Sequence, residues 1–198
     1  MCLIKGKKSN YLIKRFVDIF LSSLFLTLML PFIFLIAILI KVDSKGPILF
    51  WSKRFGANKD FFYMPKFRSM KNETPVIDTQ NLKNSSSYIT KFGKFLRKTS
   101  IDEIPQFLSV LKGDMSLVGP RPALYTQNNL IQLREKHDIN VLKPGITGLA
   151  QINGRDNITL NEKVGYDRDY LKNQNFCYDI KILFNTIYGL KWLKDISH

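Results

Sequence analysis

An almost unbroken apolar run from Phe16 to Ile40 constrains this chain more than any other feature. Only Asp18, Ser22, Ser23, Thr27 and Pro31 interrupt it. As a continuous helix it measures about 37 Å, against a hydrocarbon core of about 30 Å. Length therefore favours a single spanning helix. A cleaved leader is not expected, because the run is long for one and no small-residue cleavage site follows. Charge and proline point elsewhere. Lys5, Lys7, Lys8, Lys14 and Arg15 precede the run, and Lys41, Lys45, Lys53 and Arg54 follow it. Cationic flanks belong on the cytoplasmic side, and a spanning helix would carry one cluster across. Pro31 deletes a backbone hydrogen bond in mid-run, so a helix-break-helix could enter the membrane and return to the same face. On these residues alone the spanning and re-entrant readings both stand.

The chain as a whole is strongly basic, with 30 Lys+Arg against 16 Asp+Glu and a net charge of +14. That excess suits a polyanionic partner: nucleic acid, anionic lipid headgroups or a phosphorylated substrate. Cys2 and Cys177 give neither a disulfide framework nor metal-ligand spacing, and a reducing, cytosol-facing environment is the default. The sequence divides into a membrane-associated segment, residues 1–41, and a compact cytosolic domain, residues 42–198. The fold class expected is α/β, mostly α with one small β-hairpin.

Ile48 to Phe55 and Phe61 to Met70 read as the hairpin strands around a turn at Gly56 to Lys59. Strand alternation puts Lys66 and Arg68 on one face, which is equally an ordinary solvated face. Thr74 to Ser87 reads as a surface loop. Tyr88 to Lys98 sets Ile89, Phe92, Phe95 and Leu96 among basic residues, a pattern that suits a helix in the headgroup layer or one packed on a core. Ile104, Phe107, Leu108 and Leu111 predict a helix from Glu103 to Lys112 that Gly113 ends. Further helices are expected over Pro122 to Lys136 and Phe176 to Leu193, with a glycine-rich loop from Lys143 to Arg155.

The acids Asp102 and Glu103 stand at the start of the helix that Gly113 closes. Ser100 to Glu103 fits a capping box, and Asp102 alone fits an N-cap; both are purely structural roles. The same geometry also suits chemistry. An ionised carboxylate at a helix start sits beside amides that can hold phosphate oxygens. Such a carboxylate is a competent nucleophile toward phosphorus. Its repulsion from an anionic substrate calls for a divalent cation or arginines. Arg97 lies just upstream, and Arg121 is clamped between Pro120 and Pro122, where a planar guanidinium can be presented rigidly to phosphate. His137 and His198 form no convincing metal site or hydrolase triad with either cysteine.

Several blocks, taken in order, resemble the small monotopic phosphoglycosyl transferases of bacteria. They are Lys14 to Asp18, Lys66 to Met70, Leu96 to Gln106, Val110 to Pro122, Lys143 to Arg155, and Asp179 to Leu183. The likeness covers nearly the whole chain, from Tyr11 to Trp192. It departs at Leu30, where a serine often precedes the membrane proline, and at Pro65, Leu149 and Leu160, where aromatics are frequent. The resemblance implies transfer of a sugar-1-phosphate from a UDP-sugar to undecaprenyl phosphate with release of UMP. Asp102 would be the nucleophile that carries a phosphosugar, assisted by Glu103, and the two acids would hold Mg²⁺. Arg121 and Arg155 would bind the donor, and Arg97 the lipid phosphate; Lys66, Arg68, Gly145 and Gly148 complete the candidate substrate-binding residues. It further implies a re-entrant helix, interfacial amphipathic helices, a site at the cytoplasmic face of the inner membrane, membrane lipid as partner and downstream glycosyltransferases. The competing class is a membrane-tethered basic module that binds nucleic acid or anionic lipid through charge. That class leaves the acidic pair unexplained, so no nucleic-acid partner is expected.

Overall fold

A computed structural model describes the backbone of residues 2–72, 74, 85–154 and 157–192. It begins with one long helix, α1 (Cys2–Asp43). A hairpin follows, β1 (Leu49–Phe55) and β2 (Phe61–Phe67), antiparallel with Leu49 opposite Phe67. Then come α2 (Ser85–Tyr88), α3 (Lys91–Lys98), a 3-10 turn at Ile101–Glu103, α4 (Gln106–Lys112) and β3 (Ser116–Val118). The remainder is α5 (Asn128–Lys136), β4 (Gly145–Thr147), α6 (Leu149–Ile152), α7 (Leu160–Asn173) and α8 (Phe176–Trp192). The chain is thus mostly helical with a small hairpin, as expected. A second two-stranded sheet, β3 parallel to β4, adds to that expectation.

The helix expected from Pro122 begins only at Asn128, because residues 122–125 run along the hairpin instead. Leu124 bridges Arg54, and the Phe55 amide donates to the Ala123 carbonyl at 2.9 Å. Gly113 does end α4, with φ 100° and its amide shared between the Ser109 and Val110 carbonyls. Such a φ is open to glycine at little cost. The loop expected over residues 74–87 lies mostly outside the described residues.

Helix α1 is uninterrupted at Pro31, where a helix-break-helix was expected. A proline removes one hydrogen bond and kinks a helix without necessarily ending it. Here both flanks are held by packing. Phe25 stacks on Phe107 of α4, with ring centroids 4.4 Å apart. Ile36 and Ile40 are buried against Phe67 and Leu96. Asp18, Ser22, Ile36 and Ile40 are buried on this one face. The other face, with Phe16, Leu24, Leu28, Phe34 and Val42, is exposed and apolar. Among the described residues, Tyr11–Asp43 is the segment long and apolar enough to cross a membrane. Both of its ends, however, pack on the same globular body.

Charged residues tie α1 into that body. Arg15 donates to the carbonyls of Val110 and Leu111 at 2.6 and 2.7 Å, capping the C-terminal end of α4. Asp18 accepts from the Leu117 amide at 3.0 Å. Lys14 donates to Asp179 at 2.6 Å and to the Val118 carbonyl at 3.0 Å. Tyr170 joins the same cluster through a 2.6 Å bond to Asp179. A main core of Phe62, Met64, Val110, Met115, Leu117, Val118 and Ile182 lies beneath these contacts.

Candidate active site

Ser100 adopts a left-handed conformation, φ 55°, and turns the chain out of α3. The 3-10 turn that follows carries Asp102 and Glu103 side by side. Neither structural role expected of the pair is present: Ser100 makes no side-chain cap, and Pro105 precedes α4. Glu103 is engaged elsewhere. Its Oε1 accepts from Lys66 Nζ at 2.8 Å and from Arg121 Nη2 at 3.0 Å. Two cations at one oxygen outweigh a local cap, because charge-assisted bonds are stronger than neutral ones. The capping box the chain does contain is Thr159 with Glu162, at the start of α7.

Asp102 is buried. Among the described residues, no side chain hydrogen-bonds its carboxylate. Burial pushes its carboxyl above the usual range; Lys66 pulls against that, Glu103 adds to it, and Arg97 pulls against it again. For Glu103 burial acts upward too, but Arg121 and Lys66 overcome it and hold the carboxyl far below its ordinary value. Burial also lowers the Lys66 ammonium, with Glu103 opposing. The two acids are therefore differentiated. Glu103 is a fixed anion between cations, and Asp102 is a carboxylate beside them that no described side chain hydrogen-bonds. Lys66, Arg97 and Arg121 leave the cluster cationic overall, which suits an anionic substrate.

Arg121 reaches Glu103 from a loop whose backbone is held at every step. The Gly119 amide donates to Thr147 and the Gly145 amide to the Pro120 carbonyl, both at 2.9 Å. Arg134 donates to the Arg121 carbonyl at 2.9 Å, and Arg54 to the Pro122 carbonyl at 3.1 Å. Gly145 and Gly148, expected to line a substrate, pack backbone on backbone against Gly119. A Cβ on Gly145 would fall 2.1 Å from the Gly119 nitrogen, and one on Gly148 would fall 2.1 Å from its oxygen. Their recorded contacts make them supports of the Arg121 loop.

Arg68 is also turned to structure. Its guanidinium donates to the Lys45 carbonyl at 2.9 Å and the Ser44 carbonyl at 2.6 Å, joining β2 to the exit of α1. Arg97 donates to Met70 Sδ at 3.2 Å while acting on Asp102 as a nearby charge. Arg155 lies outside the described residues. The structure thus gathers Asp102, Glu103, Lys66, Arg97 and Arg121. Arg134, which holds the Arg121 backbone, was not singled out from sequence.

Asp102 offers an oxygen to a divalent cation, but Glu103 Oε1 already accepts from two cations. Among the described residues, no cluster of three His, Cys, Asp or Glu forms a protein cage. Mg²⁺ commonly takes one or two carboxylates and completes its shell with substrate phosphate and water. The pair fits that mode.

An acid pair ringed by cations, with Asp102 buried and Glu103 half-buried, is a site whose charge suits anionic ligands. The chain belongs to the bacterial sugar transferase family, which it matches over residues 9–192. It is 42% identical over 187 residues to the UDP-glucose:undecaprenyl-phosphate glucose-1-phosphate transferase of Escherichia coli (strain K12), covering 90% of this chain and 40% of that protein. It is 36% identical over 183 residues to the UDP-N-acetylgalactosamine-undecaprenyl-phosphate N-acetylgalactosaminephosphotransferase of Aeromonas hydrophila, covering 88% and 43%. The exopolysaccharide production protein PSS of Rhizobium leguminosarum bv. phaseoli is 36% identical over 194 residues, covering 90% and 94%. The chain thus spans less than half the length of the first two and nearly all of the third.

Proposed function

We propose that this chain transfers a sugar-1-phosphate from a UDP-sugar to undecaprenyl phosphate through a covalent phosphosugar on Asp102. The observation that carries the reading is the division of labour in the pair. Glu103 is fixed by Lys66 and Arg121, which leaves Asp102 as the acid available to react. Related proteins named for undecaprenyl-phosphate sugar transfer support the substrate classes.

In the first half-reaction an Asp102 oxygen forms a bond to the β-phosphorus. The bond from that phosphorus to the bridging oxygen breaks, and UMP leaves with the electron pair. Arg121 and Lys66, already held beside Asp102 by Glu103, sit where they can neutralise charge building on the phosphate oxygens. Glu103 keeps both cations in place. In the second half-reaction an oxygen of the lipid phosphate attacks the same phosphorus, and the acyl-phosphate bond breaks to restore the Asp102 carboxylate. Arg97 is the cation proposed to receive the lipid phosphate, and Arg155 a further donor contact. Mg²⁺, held by Asp102, Glu103 and substrate oxygens, would supply additional charge neutralisation.

The membrane reading follows from α1. From Tyr11 onward its outward face is apolar, while Asp18 before Pro31 and Ile40 after it are buried in one domain. An unbroken helix held to one body on both sides of Pro31 would lie along the membrane surface rather than span it, and its cationic flanks favour the cytoplasmic face of the inner membrane for the site. There the product would pass to downstream glycosyltransferases. The test is UMP release from a panel of UDP-sugars, with and without undecaprenyl phosphate. The reading expects release by the wild type and none by Asp102→Asn. Absence of release with every donor overturns it.

A further inference from the structure

We infer that Arg134 and Asp167 form a positioning pair that sets where the Arg121 guanidinium stands over Glu103. This rests on the transfer reading for its consequence, though not for its geometry. Arg134 lies on α5 with 5% exposure, and Asp167 on α7 with 1%. Arg134 Nε and Nη2 both donate to Asp167 Oδ2, at 2.9 and 2.7 Å. The remaining terminal nitrogen, Nη1, donates to the Arg121 carbonyl at 2.9 Å. The guanidinium therefore spans from a buried acid to the backbone of the residue that binds Glu103.

The surroundings argue that stability is not the reason for these charges. Leu130, four residues before Arg134, and Val164, three before Asp167, are both buried in one apolar cluster with Ala123 and Ile139. Arg134 and Asp167 continue the same helical faces, where two aliphatic residues would complete the packing. Two buried charges are costly, and hydrophobic replacements of such pairs are often no less stable. What aliphatic residues cannot supply is a donor for the Arg121 carbonyl. Arginine is suited to the task, since its planar fork serves an acid and a carbonyl at once. One turn further on, Tyr170 of α7 donates to the Val118 carbonyl at 3.3 Å, at the other end of the same loop. Helix α7 thus holds the loop directly at Val118 and, through Arg134, at Arg121.

The test replaces both charges together, Arg134→Met with Asp167→Leu, in the full chain in lipid nanodiscs. Three quantities are read: the thermal midpoint, the rate of UMP release, and the rate at which phenylglyoxal modifies Arg121, followed by mass spectrometry. The Arg121 side chain is 39% exposed and accessible to the reagent. The expected result is a midpoint close to wild type, UMP release lower by about 10- to 100-fold, and faster modification of Arg121; a displacement of ~1 Å carries a loss of that size. In an Arg121→Ala background the same double replacement should cause no further loss. A pair that serves only the fold would leave both release and Arg121 modification unchanged, or add its loss in full to that of Arg121→Ala, and either outcome overturns the inference. If the double variant does not fold, Arg134→Lys serves, because a single ammonium cannot reproduce the fork; it should shift both rates the same way. If the wild type releases no UMP from any donor, the transfer reading fails. The modification rate then decides the positioning claim alone, and an unchanged rate overturns it.

Discussion

Lys66 and Glu103, 37 residues apart in the chain, are joined by a 2.8 Å bond between strand β2 and the turn before α4. That bond, with the one from Arg121 to the same oxygen, turns an acid expected to cap a helix into the fixed centre of a cation cage. The neighbouring Asp102 is thereby left as the group that can change its bonding.

Lys66→Ala removes one of two partners from a mostly buried carboxylate. Glu103 keeps Arg121, so the loss in stability should be about 1.5–3 kcal/mol, the range for a hydrogen bond to a charged group. Chemical denaturation of wild type and variant measures it. The variant should also release UMP more slowly, because Glu103 then draws Arg121 away from substrate.

Asp102→Asn should be more stable than wild type at neutral pH while losing activity. The folded state raises the Asp102 pKa, so folding favours the protonated form. Its contribution is complete below the unfolded value of 3.8 and declines as pH rises through the folded one. Replacing the acid by a neutral amide removes that penalty. Thermal midpoints at pH 7 for the two proteins give the comparison, and a lower midpoint for the variant would contradict the burial argument.

Glu103→Gln should flatten the acid limb of the stability curve. The Glu103 pKa is depressed on folding from 4.5, so its stabilisation is present above that value and lost as pH falls toward the folded pKa. Denaturation midpoints compared at about pH 5 and pH 3 should differ less in the variant.

Gly145→Ala should damage activity beyond its effect on stability. The new methyl meets the Gly119 nitrogen at 2.1 Å, and the backbone on both sides must move. Overpacking of this kind costs about 1–3 kcal/mol. The displacement falls on the loop that presents Arg121, so the rate of UMP release at saturating donor should drop even where the protein is fully folded.

Single cysteines introduced at Lys8 and Lys45 test the arrangement of α1. Both should react with a membrane-impermeant maleimide from the cytoplasmic side. Reaction from opposite sides would restore the spanning helix.

Periodicity made much of this fold legible. The hairpin, α3, α4 and α8 follow apolar spacing over seven residues or more, and Gly113 closes α4 where it was expected. Strands β3 and β4 have three residues each, too few for alternation to register. Helix α7 hides because its buried positions include Asp167, which reads as surface until Arg134 is placed beside it. Local rules failed where distant charges prevailed. Ser100 to Glu103 matches a capping box, yet Lys66 and Arg121 take the glutamate. Arg68, expected on a strand face with Lys66, lies just past the end of β2 and reaches back to the end of α1. The site pair was therefore visible in sequence, and the network that divides its roles was not, since every bond in it crosses between elements.

The central claim is a phosphosugar carried on Asp102, and peptide mass spectrometry tests it most directly. Purified protein is incubated with a UDP-sugar that supports UMP release, without lipid acceptor, and then digested. The account predicts a mass increase of one sugar phosphate on the peptide containing Asp102, lost on addition of undecaprenyl phosphate and missing in Asp102→Asn. UMP release with no adduct on that peptide, or an adduct that persists in Asp102→Asn, would contradict it.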